Sequence, residues 1–105
     1  MAKIKISEAL VAIRIYPNLK GYKYIIEAVK IFKDSGDSLR ITKTIYPEIA
    51  KKYNDKNARI ERAIRHAINI AEQKNYADSY PWKHSSFYHY TNSEFIALLA
   101  QYTEI

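Results

Sequence analysis

Apolar positions recur at helical spacing along most of the chain, and the breaks between those stretches predict six helices. Ala9, Leu10 and Ile13 share one side of a short helix over about 7–14, with Ser7 expected as its cap and Tyr16-Pro17-Asn18 as its end. Tyr22, Ile25, Ile26, Val29 and Phe32 define a second helix over about 20–33. Tyr24 and Ile31 make its other side apolar too, which predicts a central place in the core. Pro17, Gly21 and Ser35-Gly36-Asp37 are read as punctuation. Ile41–Tyr46 predicts a short helix that Pro47 either kinks or follows with a new helix over 47–53. Asn54–Asn57 reads as a turn into the longest helix, about 58–73. Thr91 and Glu94 have capping-box spacing and open a last helix over about 92–102, with Phe95, Ile96, Leu98, Leu99 and Tyr102 expected inside. Residues 75–90 between them are irregular and aromatic, and no alternation predicts a strand. The expected fold is all-α: a compact six-helix domain over residues 1–105.

Composition narrows the function. A hydrophobic share of 48% supports a packed core, and 105 residues suit one domain. The formal charge of +6 favours polyanionic partners, nucleic acid before anionic membrane. With no cysteine, a disulfide framework and thiolate metal sites are excluded, which fits a cytoplasmic setting. Ala9–Ile13 is too short for a signal-peptide core, and no apolar run approaches the roughly 18 residues of a membrane span. Most of the ten tyrosines are expected to line the core with their hydroxyls at its rim rather than to stack on a ligand.

The segment Ile49–Ala71 carries the functional signal. Two helices joined by a tight turn, with small and apolar residues at fixed offsets, predict a helix-turn-helix over about 47–73. Ile49, Ala50 and Tyr53 supply the inner face of its first helix; Ile60, Ala63 and Ile64 supply that of the second. Asn54 takes the turn position usually held by glycine, since asparagine tolerates the left-handed conformation. At about 100° per residue, Ile60, Ile64, Ala67 and Ala71 share one stripe of the second helix. Arg62, Arg65, His66 and Asn69 lie opposite, with Arg59 at the edge and Lys51, Lys52 and Lys56 just before. Arginine pairs with guanine, asparagine with adenine, and lysine or arginine with phosphate, so this face has groove-reading chemistry. The competing reading is a solvated basic face laced by Glu61–Arg62 and Glu61–Arg65 pairs. Nothing predicts catalysis or a metal: His84 and His89 have no acid or cysteine close in sequence, and no phosphate loop or nucleophile elbow is present. No cofactor is expected.

The chain resembles the C-terminal DNA-binding effector domain of stage zero sporulation protein A, a sporulation response regulator family. The resemblance rests on Lys20-Gly21-Tyr22 with Tyr24 and Glu27-Ala28; Ile41-Thr42-Lys43; Tyr46-Pro47 with Ile49-Ala50-Lys51-Lys52; Arg59 with Glu61–Ile68; and Thr91–Ala97. It implies a six-helix fold and a recognition helix in the major groove of a TGNCGAA-like element, bound as tandem copies by two domains. It also implies contact with the RNA polymerase sigma subunit. In the family, residues matching Glu61 and Arg62 face bases, and those matching Arg59, Arg65 and His66 lie at bases or phosphates. Three departures stand out: no phosphoacceptor receiver domain accompanies these residues, segment 75–90 is shorter and more aromatic, and Asn57-Ala58 replaces small and hydroxyl residues.

Together these readings make the chain a sequence-specific regulator of transcription on double-stranded DNA. Glu61, Arg62 and Asn69 are expected to read bases. Lys51, Lys52, Lys56, Arg59, Arg65 and His66 are expected at phosphates or in mixed contacts. A second reading is a truncated interaction module that modulates a full-length regulator or polymerase through the aromatic segment. A third is a basic membrane-surface or RNA-binding protein, of which lipid association would need an amphipathic helix with an exposed apolar face.

Overall fold

The computed structural model describes residues 3–35, 41–73, 80–82 and 89–105. In chain order these form β1 (Ile4–Lys5), α1 (Ile6–Ala12), α2 (Lys20–Ser35), a π-helical turn (Ile41–Ile45), α3 (Tyr46–Tyr53), α4 (Asn57–Gln73), α5 (Asn92–Tyr102) and β2 (Thr103–Glu104). The all-α expectation holds. Among the described residues five elements are α-helices, and the segment expected as a short helix before Pro47 is a π turn running straight into α3. Pro47 sits in the first turn of α3, where its missing N–H costs no helical bond.

Two strands depart from the strand-free expectation. β1 and β2 pair in parallel, Ile4 opposite Thr103 and Lys5 opposite Glu104. Two-residue strands are too short to show alternation, and their partners lie at opposite ends of the sequence. Thr103 is fully buried; its hydroxyl donates to the Leu99 carbonyl at 2.5 Å, and Lys33 Nζ donates to the Thr103 carbonyl at 2.5 Å. The ribbon also moves the start of α1. Lys5 is extended (ψ 144°), the helix begins at Ile6 without a side-chain cap, and Ser7 lies inside the first turn rather than capping it.

α1 also ends sooner than the Tyr16-Pro17 signal predicts. Arg14 adopts φ 71°, its N–H donates to the Val11 carbonyl, and Ile15 N–H returns to the Leu10 carbonyl at 2.9 Å. This is a Schellman closure with arginine in the place glycine usually takes. It folds Ile15 back into the core beside Ile13.

α2 runs through the middle, packing chiefly on α4 and α5. Its buried face is Gly21, Tyr24, Ile25, Glu27, Ala28 and Val29, whereas Tyr22, Ile26 and Phe32 are only half-buried. Gly21 sets this phase. A Cβ there would stand 2.5 Å from the Ala63 carbonyl oxygen and 2.7 Å from Ala67 Cβ. The residue read as punctuation is therefore the point where α2 and α4 nearly touch.

On the far side, α5 buries Phe95, Ile96 and Leu99; Leu98 is half-buried and Tyr102 exposed. Tyr80, Trp82 and Tyr90 close over Phe95, and Trp82 Nε1 donates to the Tyr90 hydroxyl at 2.9 Å. These aromatics are wall, as expected of the tyrosines; Tyr76, Phe87, Tyr88 and His84 lie outside the described residues. Each fully buried Ile, Leu or Phe contributes about 1.5–3 kcal/mol.

Candidate nucleic-acid interface

The turn between α3 and α4 is built by three residues and braced by α2. Asn54 takes φ 52°, as its expected stand-in for glycine requires, and Asp55 N–H donates to the Ala50 carbonyl at 2.9 Å. Asp55 then works in two directions: Oδ1 accepts the Lys56 N–H at 2.8 Å, and Oδ2 accepts the Tyr24 hydroxyl at 2.5 Å. Burial and this neighbouring carboxylate push the Tyr24 hydroxyl up to about 12. The Tyr24 and Lys56 bonds, aided by Lys20 and Arg59, hold Asp55 below the usual carboxylate range. Lys56 carbonyl receives the Arg59 and Ile60 N–H groups, both at 3.0 Å, and starts α4.

α4 divides into two faces as the angular reading expects. Ile60, Ile64, Ala67, Ile68 and Ala71 are buried; Arg59, Glu61, Arg62, His66 and Asn69 are exposed. Arg59, Arg62 and His66 line a groove of about 540 Å³ together with Lys20, Asn18, Leu19, Asp55 and Ala63. Among the described residues, none of Arg59, Arg62 and His66 forms an ion pair. The Glu61 pairing of the solvated-face reading is absent there too, because Arg65 turns to Glu72 instead (2.9 Å).

The lysines before α4 are not equivalent. Lys51 and Lys56 are exposed. Lys52 donates to Glu27 Oε1 at 2.7 Å, which holds its ammonium above the usual lysine range, although the side chain remains 57% exposed. One donor is engaged and two remain for an anion. Lys23 Nζ stands 4.8 Å above the Tyr53 ring.

Arg65 and Asn69 form a separate group at the other end of the face. Arg65 Nε donates to Asn69 Oδ1 at 3.1 Å, one terminal nitrogen to the Tyr90 carbonyl at 2.5 Å, and the other to Glu72. The second oxygen of Glu72 faces His89 Nδ1 at 2.6 Å, so the acid that sequence proximity did not supply comes from α4. Asn92 Nδ2 stitches α5 to the Tyr46 hydroxyl and the Glu61 carbonyl.

Sequence reasoning missed Lys20, Glu27, Tyr24 and Asp55. The first three sit on a helix read as core, and only its packing against α3 and α4 brings them to the turn. The signal available was Lys20-Gly21-Tyr22 with Tyr24 and Glu27, which marked the region without assigning its work.

A helical globule whose α4 offers Arg59, Arg62 and His66, without ion-pair partners among the described residues, beside a braced turn has the surface chemistry of a small all-helical DNA-binding domain. Over residues 6–103 the sequence matches the family described as sporulation initiation factor Spo0A C terminal, and the chain belongs to that family. It is thus a DNA-binding effector domain of the sporulation-regulator type.

Proposed function

We propose that the chain reads a specific DNA site as one helix-turn-helix domain, with α3 and α4 as its two helices. α4 enters the major groove of a TGNCGAA-like element. Arg62, Glu61 and Asn69 meet base edges; Lys51, Lys52, Lys56, Arg59 and His66 meet phosphates or make mixed contacts. The observation that carries this reading is the exposed row Arg59, Arg62 and His66, without ion-pair partners among the described residues, on the helix that follows the left-handed turn. Arg65 is set apart from the phosphate set because three of its five N–H donors are spent within the fold and hold its side chain along α4. The same reading puts two copies on tandem elements, a contact with the polymerase sigma subunit, and the site of action in the cytoplasm on nucleoid DNA, with the family resemblance as its support.

The interaction-module reading leans on the aromatic segment. Its described aromatics, Tyr80, Trp82 and Tyr90, are buried in the core, so they offer no docking surface. Fluorescence anisotropy with TGNCGAA-like and scrambled duplexes across a salt series tests the DNA reading. A preference of roughly a hundredfold or more near physiological salt is expected. Equal, steeply salt-dependent binding to both would leave only the phosphate contribution and overturn the site-specific reading.

A further inference from the structure

Arg65 lies on the exposed side of α4 yet points its guanidinium along the helix and across to the start of α5. Its three nitrogens donate to Asn69 Oδ1, the Tyr90 carbonyl and Glu72 Oε1 at 3.1, 2.5 and 2.9 Å. Glu72, only 9% exposed, is anchored on its other oxygen by His89 at 2.6 Å. Three of the five guanidinium N–H donors are spent in this arrangement, which spans two turns of α4 and the segment ahead of α5 and fixes the direction of the side chain.

The consequence falls on Asn69. A guanidinium Nε–H can only donate, so the Asn69 amide must turn its oxygen toward Arg65. The NH₂ half is left facing away, and it has no partner among the described residues. An unconstrained asparagine pairs with adenine by donating to N7 and accepting from the N6 amine. Here one of the two lone pairs of the accepting oxygen already serves a cation, and that neighbouring positive charge disfavours an approaching amine while it strengthens the NH₂ as a donor. The base edge that offers two acceptors to the two N–H groups is that of guanine, with N7 and O6; thymine offers O4 alone beside its methyl.

We infer that Arg65 is a positioning residue that orients Asn69 with its NH₂ group outward and so makes it favour guanine over adenine, an inference that rests on the DNA-reading function proposed above. The test measures Arg65→Met, Asn69→Ala and the double variant on a panel of duplexes with every single base-pair change in the preferred site, each across a salt series. Both single variants should lose about tenfold discrimination at one and the same G·C pair. The double variant should lose no more than either alone, and the salt slope should stay that of the parent protein. Replacing that guanine by an analogue lacking N7 should weaken the parent protein and leave Asn69→Ala unchanged, a readout that holds even if Arg65→Met folds poorly.

A salt slope reduced by about one in Arg65→Met would make Arg65 a phosphate contact and overturn the inference. So would relaxation at an A·T pair, or parental discrimination in Asn69→Ala. A parent protein that prefers no duplex would instead overturn the DNA-reading function and this inference with it, a result distinct from the other three.

Discussion

Gly21 and Asp55 show how single residues set the geometry of the DNA-facing helix. With the Ala63 carbonyl only 2.5 Å from where a Cβ would stand, Gly21→Ala must push α4 away from α2. The helix-propensity gain of up to about 1 kcal/mol is smaller than the overpacking cost, about 1–3 kcal/mol and at its upper end against backbone. The expected net effect is destabilisation, read as a lower thermal midpoint, with weaker DNA binding because the groove between Lys20 and Arg59 changes shape. The Tyr24–Asp55 bond makes stability depend on pH at both extremes. Asp55 titrates low, so its contribution is present above the ordinary carboxylate range and disappears as pH falls through its depressed value. Tyr24 titrates high, so its contribution is complete below 10 and is lost as pH climbs through about 12. In Tyr24→Phe the Asp55 carboxyl should move up toward its ordinary range, followed by carboxyl-carbon NMR. The stability gap between parent and variant should narrow in acid and again above about 12; a gap that stays constant with pH would refute the coupling. For Arg62→Ala, a loss of about 1–3 kcal/mol confined to one base-pair position is expected in duplex-panel binding.

Helix ends carry much of the local specification. Thr91 accepts the Glu94 N–H at 3.1 Å while Glu94 Oε1 accepts the Thr91 N–H at 2.9 Å, so both halves of the capping box are made. Thr91→Ala should cost about 1 kcal/mol in denaturant unfolding, with faster amide exchange at Glu94. α3 ends on Asn54 at φ 52° and α1 on Arg14 at φ 71°. Glycine should be tolerated or mildly stabilising at Asn54, whereas valine should lose roughly 1–2 kcal/mol and misplace the turn. The capping box and the Asn54 turn were legible because each has a local signature of residue type and spacing. Arg14 was not, since nothing about an arginine announces a left-handed conformation; its closure follows from Ile15 being drawn into the core.

For the whole molecule, the net charge of +6 matters through its placement. Each phosphate neutralised contributes a slope of about −0.9 to the dependence of log affinity on log salt. Lys51→Ala, at an exposed position, should weaken cognate and scrambled duplexes alike and lower the slope by about one. Lys52→Ala has a further consequence, because it leaves the Glu27 carboxylate, 11% exposed, with only Lys30 at 3.9 Å. Its thermal midpoint should fall as well, which Lys51→Ala should not show. The β1–β2 ribbon joins the two ends of the described chain, and Lys33 and Thr103 fasten it to α2 and α5. Removing residues 1–5 should therefore lower the stability of α5, read by amide exchange.

The pattern along the chain by itself determined the helical class, most helix positions, the inner stripe of α4 and the basic face opposite it. These follow from period and residue type within a few turns, where local geometry leaves little choice. Tertiary structure alone decided which cations stay available. Arg65 and Arg62 are three residues apart on one face and chemically identical, yet Arg65 is drawn inward by the Tyr90 carbonyl and Glu72, while Arg62 opens onto the groove beside Lys20. Likewise Lys52 meets Glu27 and Lys51 does not, because only one of two adjacent residues on α3 can point at α2. Tyr90 and Glu27 lie 25 residues from the cations they hold, and only the packing of α2, α3, α4 and α5 brings them within hydrogen-bond reach.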